Sequence, residues 1–260
     1  MLEQKLSTAR FWSLTVAGTL ALFGVWSFAA ASGVTSRTFL PAPWDVLARF
    51  AQLTVEPFAG YVLQEHLLSS LRRFGLGFLL AVTAGIPLGL LMAWFRWVDR
   101  LLSPLFETVR FIAPIAWVPF AALWFGTGIG GPVLIIFMGA FPPALINTYR
   151  GAKHVDRKYI EAAQTLGAGS FRTLTQVLLP AAVPSIVAGL RISAGLGWQS
   201  LVGAELIVAS SGVGYLMVKG QAAVSTATVM SGMMAIGVVG ALIDIALRRV
   251  QQAIEARRGS

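Results

Sequence analysis

The chain has no cysteine among its 260 residues. This excludes disulfide bonds, thiolate metal sites and cysteine nucleophiles, but it leaves the compartment open. The two histidines, His66 and His154, stand without other ligand residues at metal-binding spacing, so no metal site is predicted. The sequence also lacks G-x-x-x-x-G-K-[ST], and the chain therefore cannot cradle the phosphates of ATP itself.

Charged residues are scarce as well. They make up only 12% of the chain, whereas a soluble domain usually carries about 25%. Hydrophobic residues make up 56%, and the mean hydropathy is +0.74. There are too few charges for the polar exterior of a soluble protein, so the composition predicts an integral membrane protein.

Six apolar runs are long enough to cross a membrane as α-helices. They are 11–32, 71–94, 105–125, 132–149, 182–208 and 228–247. The first exceeds the 7–15 apolar residues of a signal peptide, so we expect an uncleaved helix. The fold class predicted is all-α, with about six transmembrane helices.

The basic residues predict the orientation of these helices. The formal net charge is +9, and 13 of the 20 Lys and Arg fall in the segments that share a side with the termini, against three on the other side. Cytoplasmic segments are enriched in Lys and Arg, so both termini are expected in the cytoplasm. The positive charge is accounted for in this way, and no nucleic-acid partner is expected.

A long outer segment follows the first span. Its stretch around Trp44 and Leu47 is amphipathic, with Leu40 and Phe50 on the same face. This pattern predicts a short helix, which either lies on the outer membrane surface or packs on the core.

The longest inner segment, residues 154–180, predicts two short helices. Asp156 is placed to cap the first, which runs to about Leu166, and glycines at 167 and 169 then break the chain. Ser170 is placed to cap the second, which should end before Pro180 and the fifth span.

This segment resembles a signature of bacterial ABC importer permeases, Glu-Ala-Ala-x3-Gly-x9-Ile-x-Leu-Pro. The matching residues are Glu161, Ala162, Ala163, Gly167, Leu179 and Pro180, with Val177 in place of isoleucine. Further stretches, among them His66–Arg73, Gly85–Gly89 and Leu123–Gly128, are similar to the subgroup that serves sulfonate, taurine, nitrate and bicarbonate importers. One departure is Ala113, where relatives often have a second proline, and it bears on the helix geometry of the third span.

The resemblance implies a type I ABC importer permease fold with a cytoplasmic coupling helix. Residues 1–65 would form the N-terminal helix and external amphipathic segment, 66–250 the core, and 251–260 a cytoplasmic tail. The six signature residues would dock on a partner ATPase, which binds ATP and Mg and hydrolyses ATP, so this chain has no catalytic residues or cofactor of its own. A second permease subunit (identical or paired), two ATPases, an extracytoplasmic solute-binding protein and membrane lipid would be its partners in the bacterial inner membrane.

Ionisable and polar residues within spans mark candidate path residues. They are Arg110, Trp117, Trp198, Gln199 and Glu205. Arg110 suits a passing anion and has Glu107 one turn earlier as a possible pair. Glu205 would repel an anion, so it either gates the path or ties helices through a buried pair. Holding helices together is the alternative role for the whole set.

The sequence favours two other functions less. An ion-driven secondary transporter or channel would favour paired buried acids and repeated halves, and only Glu205 lies well inside a predicted span. An intramembrane enzyme would need clustered catalytic residues such as HExxH, which the sequence lacks.

Overall fold

The computed structural model describes residues 8–33, 36 and 38–256, and within these ranges regular structure is helical apart from one isolated bridge. The helices are α1 (Thr8–Ala31), α2 (Pro43–Leu53), α3 (Leu63–Trp94), α4 (Arg96–Val109), α5 (Val118–Phe125), α6 (Gly130–Lys153), α7 (Arg157–Thr165), α8 (Ser170–Thr173), α9 (Leu179–Val208), α10 (Val213–Ala222) and α11 (Thr226–Ala256). A 3-10 turn, Pro114–Trp117, leads into α5, and a π-helical turn, Leu174–Leu178, joins α8 to α9.

Five helices of the described chain are long and apolar enough to cross a membrane. They are Trp12–Ala31, Leu63–Trp94, Gly130–Lys153, Ser170–Val208 and Thr226–Ala256. The pair α4 and α5 makes a sixth if it counts as one span. The predicted all-α fold with about six spans is confirmed.

The third predicted span is not a continuous helix, and this part of the prediction was wrong. The chain expected to be helical over 105–125 bends by 89° between α4 and the Pro114–Phe125 helix. Ala113 takes extended angles, φ −56° and ψ 139°, because a residue before proline avoids the helical region.

The chain divides into two compact units. One contains the residues up to Leu63 together with Leu216–Met234, and the other contains Gln64–Tyr215 and the residues from Ala235 onward. The predicted division after residues 65 and 250 stays a prediction.

The amphipathic helix α2 belongs to the first unit. Asp45 accepts a hydrogen bond from the Ala42 N–H at 3.2 Å, which caps the helix start. Arg49 Nε donates to Thr228 Oγ1 at 2.9 Å, so one side of α2 packs on α11. Trp44 and Leu47 are 56% and 58% exposed on the outside. The helix therefore packs on protein and also presents apolar side chains outward.

Small residues set the helix packing in the second unit. The predicted close approach at Gly85 and Gly89 of α3 is present, since an added Cβ at Gly89 would lie 2.7 Å from the Leu145 carbonyl oxygen of α6. Helices α6 and α9 approach in the same way, with a Cβ at Gly197 3.1 Å from the Cβ of Ala140. Close backbone contact is the usual means of helix association in membranes.

Gly89→Ala tests this packing. We expect it to destabilise the protein by about 1–3 kcal/mol, because the added methyl group overpacks a tight contact between two backbones. Gly75→Ala is the matched control in the same helix, since a Cβ there meets nothing within 4 Å. The two variants should differ in melting temperature when they are unfolded in detergent. Equal melting temperatures would show that the contact between α3 and α6 tolerates an added methyl group.

Candidate functional site

A buried ion pair joins α3 to α9. Arg73 Nη1 donates to Glu205 Oε1 at 2.9 Å, and the two side chains are 5% and 1% exposed. Ser70 Oγ lies 2.9 and 2.8 Å from the two carboxylate oxygens, and the Gly214 N–H donates to Oε2 at 3.0 Å. Each oxygen of the carboxylate therefore has partners, as a buried charge requires.

The same side chains hold the connection from α9 to α10. Arg73 also donates to the carbonyl oxygen and hydroxyl of Ser211, at 2.6 and 2.8 Å. The Gly212 N–H donates to His66 Nδ1 at 3.2 Å, and the Val213 N–H donates to Ser70 Oγ at 3.0 Å. The first N–H groups of α10 thus have acceptors, which helix starts need.

Two glycines let Glu205 reach this position. Gly212 has φ +106°, and a Cβ on it would fall on the Glu205 carboxylate. A Cβ on Gly214 would lie 2.6 Å from the Cβ of Glu205. The residues Ser-Ser-Gly-Val-Gly at 210–214 are thus required by a buried carboxylate, a link that sequence analysis did not make.

The sequence allowed Glu205 to line a path or to tie helices through a buried pair. Its position in the structure corresponds to the second role, because its side chain is buried against Arg73. The partner was missed because it lies 132 residues away. His66, Ser70 and Arg73, each about one turn apart on α3, were a local signal of a polar face there.

A cavity of about 330 Å³ lies beside the break between α4 and α5. Its walls are formed by Arg110, Ile112, Pro114, Ile115, Met138, Gly139, Pro142, Pro143, Leu196, Gln199, Ser200 and Gly203. Two of the five predicted path residues, Arg110 and Gln199, line it together. Arg110 Nε donates to Glu107 Oε2 at 2.6 Å, as the spacing of the two residues predicted. A helix break beside a cavity is typical of solute sites in transporters.

The two tryptophans lie elsewhere. Trp198 is 6% exposed, packs edge-on against Phe74 and donates its indole N–H to the Ile236 carbonyl oxygen at 3.1 Å. It also lines a smaller cavity of about 190 Å³, together with Gln199. Trp117 is half-buried and packs edge-on against Phe120. The structure therefore groups Arg110 with Gln199, whereas neither tryptophan lines their cavity.

A second acid lies within a span, contrary to the sequence analysis. Asp244 of α11 accepts two hydrogen bonds from Arg191 of α9, at 2.5 and 3.1 Å. The planar guanidinium matches the two carboxylate oxygens, so the pair fixes the orientation of the two helices. Sequence reading overlooked Asp244 because it sits close to the basic end of its helix, beside Arg248 and Arg249.

The segment between α6 and α9 begins as predicted. Asp156 caps α7 by accepting from the Lys158 N–H at 3.1 Å, and the Lys158 side chain lowers the pKa of this carboxyl by hydrogen bonding to it. Gly167 has φ +82°, which only glycine adopts readily, and it turns the chain after α7. Glu161 is exposed and forms no ion pair with the described residues.

The second half of this segment differs from the prediction. The helix that begins at Ser170 does not end before Pro180 but continues through the π-helical turn into α9, and Ser170 makes no side-chain cap. Pro180 is the second residue of α9, which follows directly after the π-helical turn. The exposed apolar side chains Leu166 and Phe171, at 88% and 78%, flank the turn at Gly167.

Membrane-crossing helices, a broken span beside a charged cavity, and an exposed apolar turn between two spans define a transport subunit that docks on another protein. The chain belongs to the family described as binding-protein-dependent transport system inner membrane component, whose model matches residues 85–260. It is the permease subunit of an ABC importer, a multi-pass inner-membrane protein that works with ATPase subunits and a solute-binding protein.

Similar proteins cover most of the chain. The taurine transport system permease protein of Escherichia coli (strain K12) is 36% identical over 93% of this chain and 89% of its own length. The bicarbonate transport system permease protein of Synechococcus elongatus is 33% identical over 89% of this chain and 85% of its own. Among solved structures, an inward-facing MetNI methionine ABC transporter aligns with a TM-score of 0.64 at 21% identity, covering 74% of this chain and 95% of that chain.

Proposed function

We propose that the importer takes up a small anion and that this chain forms its path across the membrane. The observation that supports this is the Arg110 guanidinium in the wall of the cavity at the helix break, since it offers charge and planar donors to an oxyanion. The relatives named for taurine and bicarbonate point to cargo with an anionic group. Sulfonates, taurine, nitrate, bicarbonate and aromatic carboxylates are the candidates.

Within this path we assign contact with the solute to Arg110 and Gln199, which share the cavity. Trp198 and Glu205 are buried, so their part in transport is to hold α9 in place. For Trp117 a place along the path stays a prediction.

The proposed assembly contains two copies of this chain, two ATPases and an extracytoplasmic binding protein. ATP and Mg²⁺ bind to the ATPases, where hydrolysis takes place, and this chain is a non-catalytic subunit surrounded by lipid. Both termini are assigned to the cytoplasm from the distribution of Lys and Arg. The α7 segment then also lies in the cytoplasm.

Energy coupling is assigned to the α7 segment. Its exposed Leu166 and Phe171 supply apolar anchors, and the Glu161 carboxylate, without an ion pair among the described residues, is available to a basic group of the ATPase. Apolar anchors near a charged group are the usual composition of a compact interface. The six residues Glu161, Ala162, Ala163, Gly167, Leu179 and Pro180 therefore remain the proposed coupling set.

Calorimetry on the partner binding protein tests the cargo. We expect one of the candidate anions to bind it, and the same compound to enter proteoliposomes that contain the permease, the ATPase and ATP. A binding protein that accepts only neutral or cationic compounds would contradict the anion proposal. Uptake without ATP or without the ATPase would contradict the assignment of the energy source.

A further inference from the structure

The Arg110 guanidinium is held by a carboxylate in a way that leaves part of it available. Nε and Nη2 both contact one oxygen of Glu107, Oε2, at 2.6 and 2.5 Å. Nη1 makes no hydrogen bond to the described residues. The two side chains are 31% and 52% exposed, and the Arg110 guanidinium lies over the Phe111 ring, 4.5 Å from its centre, so Glu107 is the partner that is free to move. The pair can therefore open at little packing cost.

An arginine beside an apolar cavity in a membrane-spanning region needs a counter-charge. Glu107 supplies it from one turn earlier on α4, whereas the cavity itself contributes no acidic side chain. A solute anion can contact Nη1 first and then take the place of Glu107. Arg110 would then have an anionic partner before, during and after passage of the solute.

We infer that this cavity is a transient subsite for a small organic oxyanion, with Glu107 as an internal counter-ion that the solute displaces from Arg110. The inference rests on the proposed uptake of anions and names their class. The cavity wall also contains the apolar side chains of Ile112, Ile115 and Leu196, so it favours a sulfonate or carboxylate with a short carbon chain over a bare inorganic ion. Gln199 offers an amide to the same solute.

The absence of cysteine makes a direct test possible. Ser200→Cys places a single thiol in the cavity wall, and Gln199→Cys is a second position if the first disturbs the fold. Each is reacted, in the assembled transporter in lipid nanodiscs, with the anionic sulfonatoethyl methanethiosulfonate and its cationic trimethylammonium counterpart. Ala253→Cys, at an exposed position near the end of α11, is the control for general reactivity.

The ratio of anionic to cationic reaction rates reports the local charge. We expect Glu107→Gln to raise this ratio by about three- to tenfold and Arg110→Gln to lower it by a similar factor, as for a unit charge removed within several ångströms. The ratio at position 253 should not change. Equal ratios in all variants at both cavity positions, or a cavity thiol that neither reagent reaches, would overturn the subsite.

A ligand that occupies the cavity should protect the thiol from labelling, and the compounds that protect it identify the class of ligand. Ethanesulfonate should slow labelling at position 200, whereas tetramethylammonium at the same concentration should not. Protection by sulfate as strong as that by ethanesulfonate would overturn the preference for an organic anion. Labelling needs no turnover, so ATP-driven uptake measured on the same preparations tests the proposed function separately.

Discussion

Glu205→Ala is expected to destabilise the protein by about 3–5 kcal/mol, the usual result of removing one partner from a buried ion pair. The substitution leaves the Arg73 guanidinium, with 5% of its side chain exposed, without its carboxylate. It also removes the acceptor of the Gly214 N–H at the start of α10. A loss of this size is comparable to the whole stability of many proteins, so the variant should accumulate poorly in membranes.

Unfolding in detergent and the amount of protein in the membrane both measure this effect. Glu255→Ala, at an exposed position near the end of α11, should stay within about 0.5 kcal/mol of the parent. The double variant Arg73→Met/Glu205→Leu should recover much of the loss, because no buried charge is then left unpaired. If Glu205→Ala were as stable as Glu255→Ala, the network would not stabilise the fold.

Gly167→Pro and Glu161→Lys are expected to uncouple ATP hydrolysis from transport. Proline cannot adopt φ +82°, and it also removes the N–H that donates to the Gln164 carbonyl oxygen at 2.9 Å. The turn between Leu166 and Phe171 would then have to adopt a different backbone conformation. Loss of one anchor of an interface costs about 2 kcal/mol, equivalent to roughly thirtyfold in affinity for the ATPase.

The measurement is ATP hydrolysis and solute uptake in the same proteoliposomes, with and without the binding protein. Both variants should insert normally and hydrolyse ATP at the basal rate, but uptake should fall to background. Gly169→Ala is the control, since Gly169 has φ −68° and open space around its Cα. Coupling equal to that of the parent in both variants would show that the segment serves another purpose.

Local patterns predicted those features that depend on neighbouring residues. Apolar length predicted the spans, Asp156 predicted the cap of α7, and the spacing of Glu107 and Arg110 predicted their ion pair. Gly85 and Gly89 predicted a close helix contact without naming α6. Each of these follows from periodicity or from a few consecutive residues.

Features that depend on residues far apart in the sequence could not be predicted from local patterns. Nothing near Glu205 in the sequence indicates Arg73, and nothing near Asp244 indicates Arg191 on another span. The break at Ala113 had a local cause in Pro114, but apolar length alone favoured an unbroken span. The π-helical turn before Leu179 was missed because proline near a helix start is compatible with both a break and a continuation.

The continuous helix from Ser170 to Val208 has a mechanical consequence. At 1.5 Å per residue its length is about 58 Å, roughly twice the thickness of the hydrocarbon core. One end carries Phe171 beside the proposed ATPase contact, and the other carries Glu205. A rigid tilt of about 10° about the first end would displace the second by about 10 Å, so we expect small movements at the proposed ATPase contact to become large ones on the far side of the membrane.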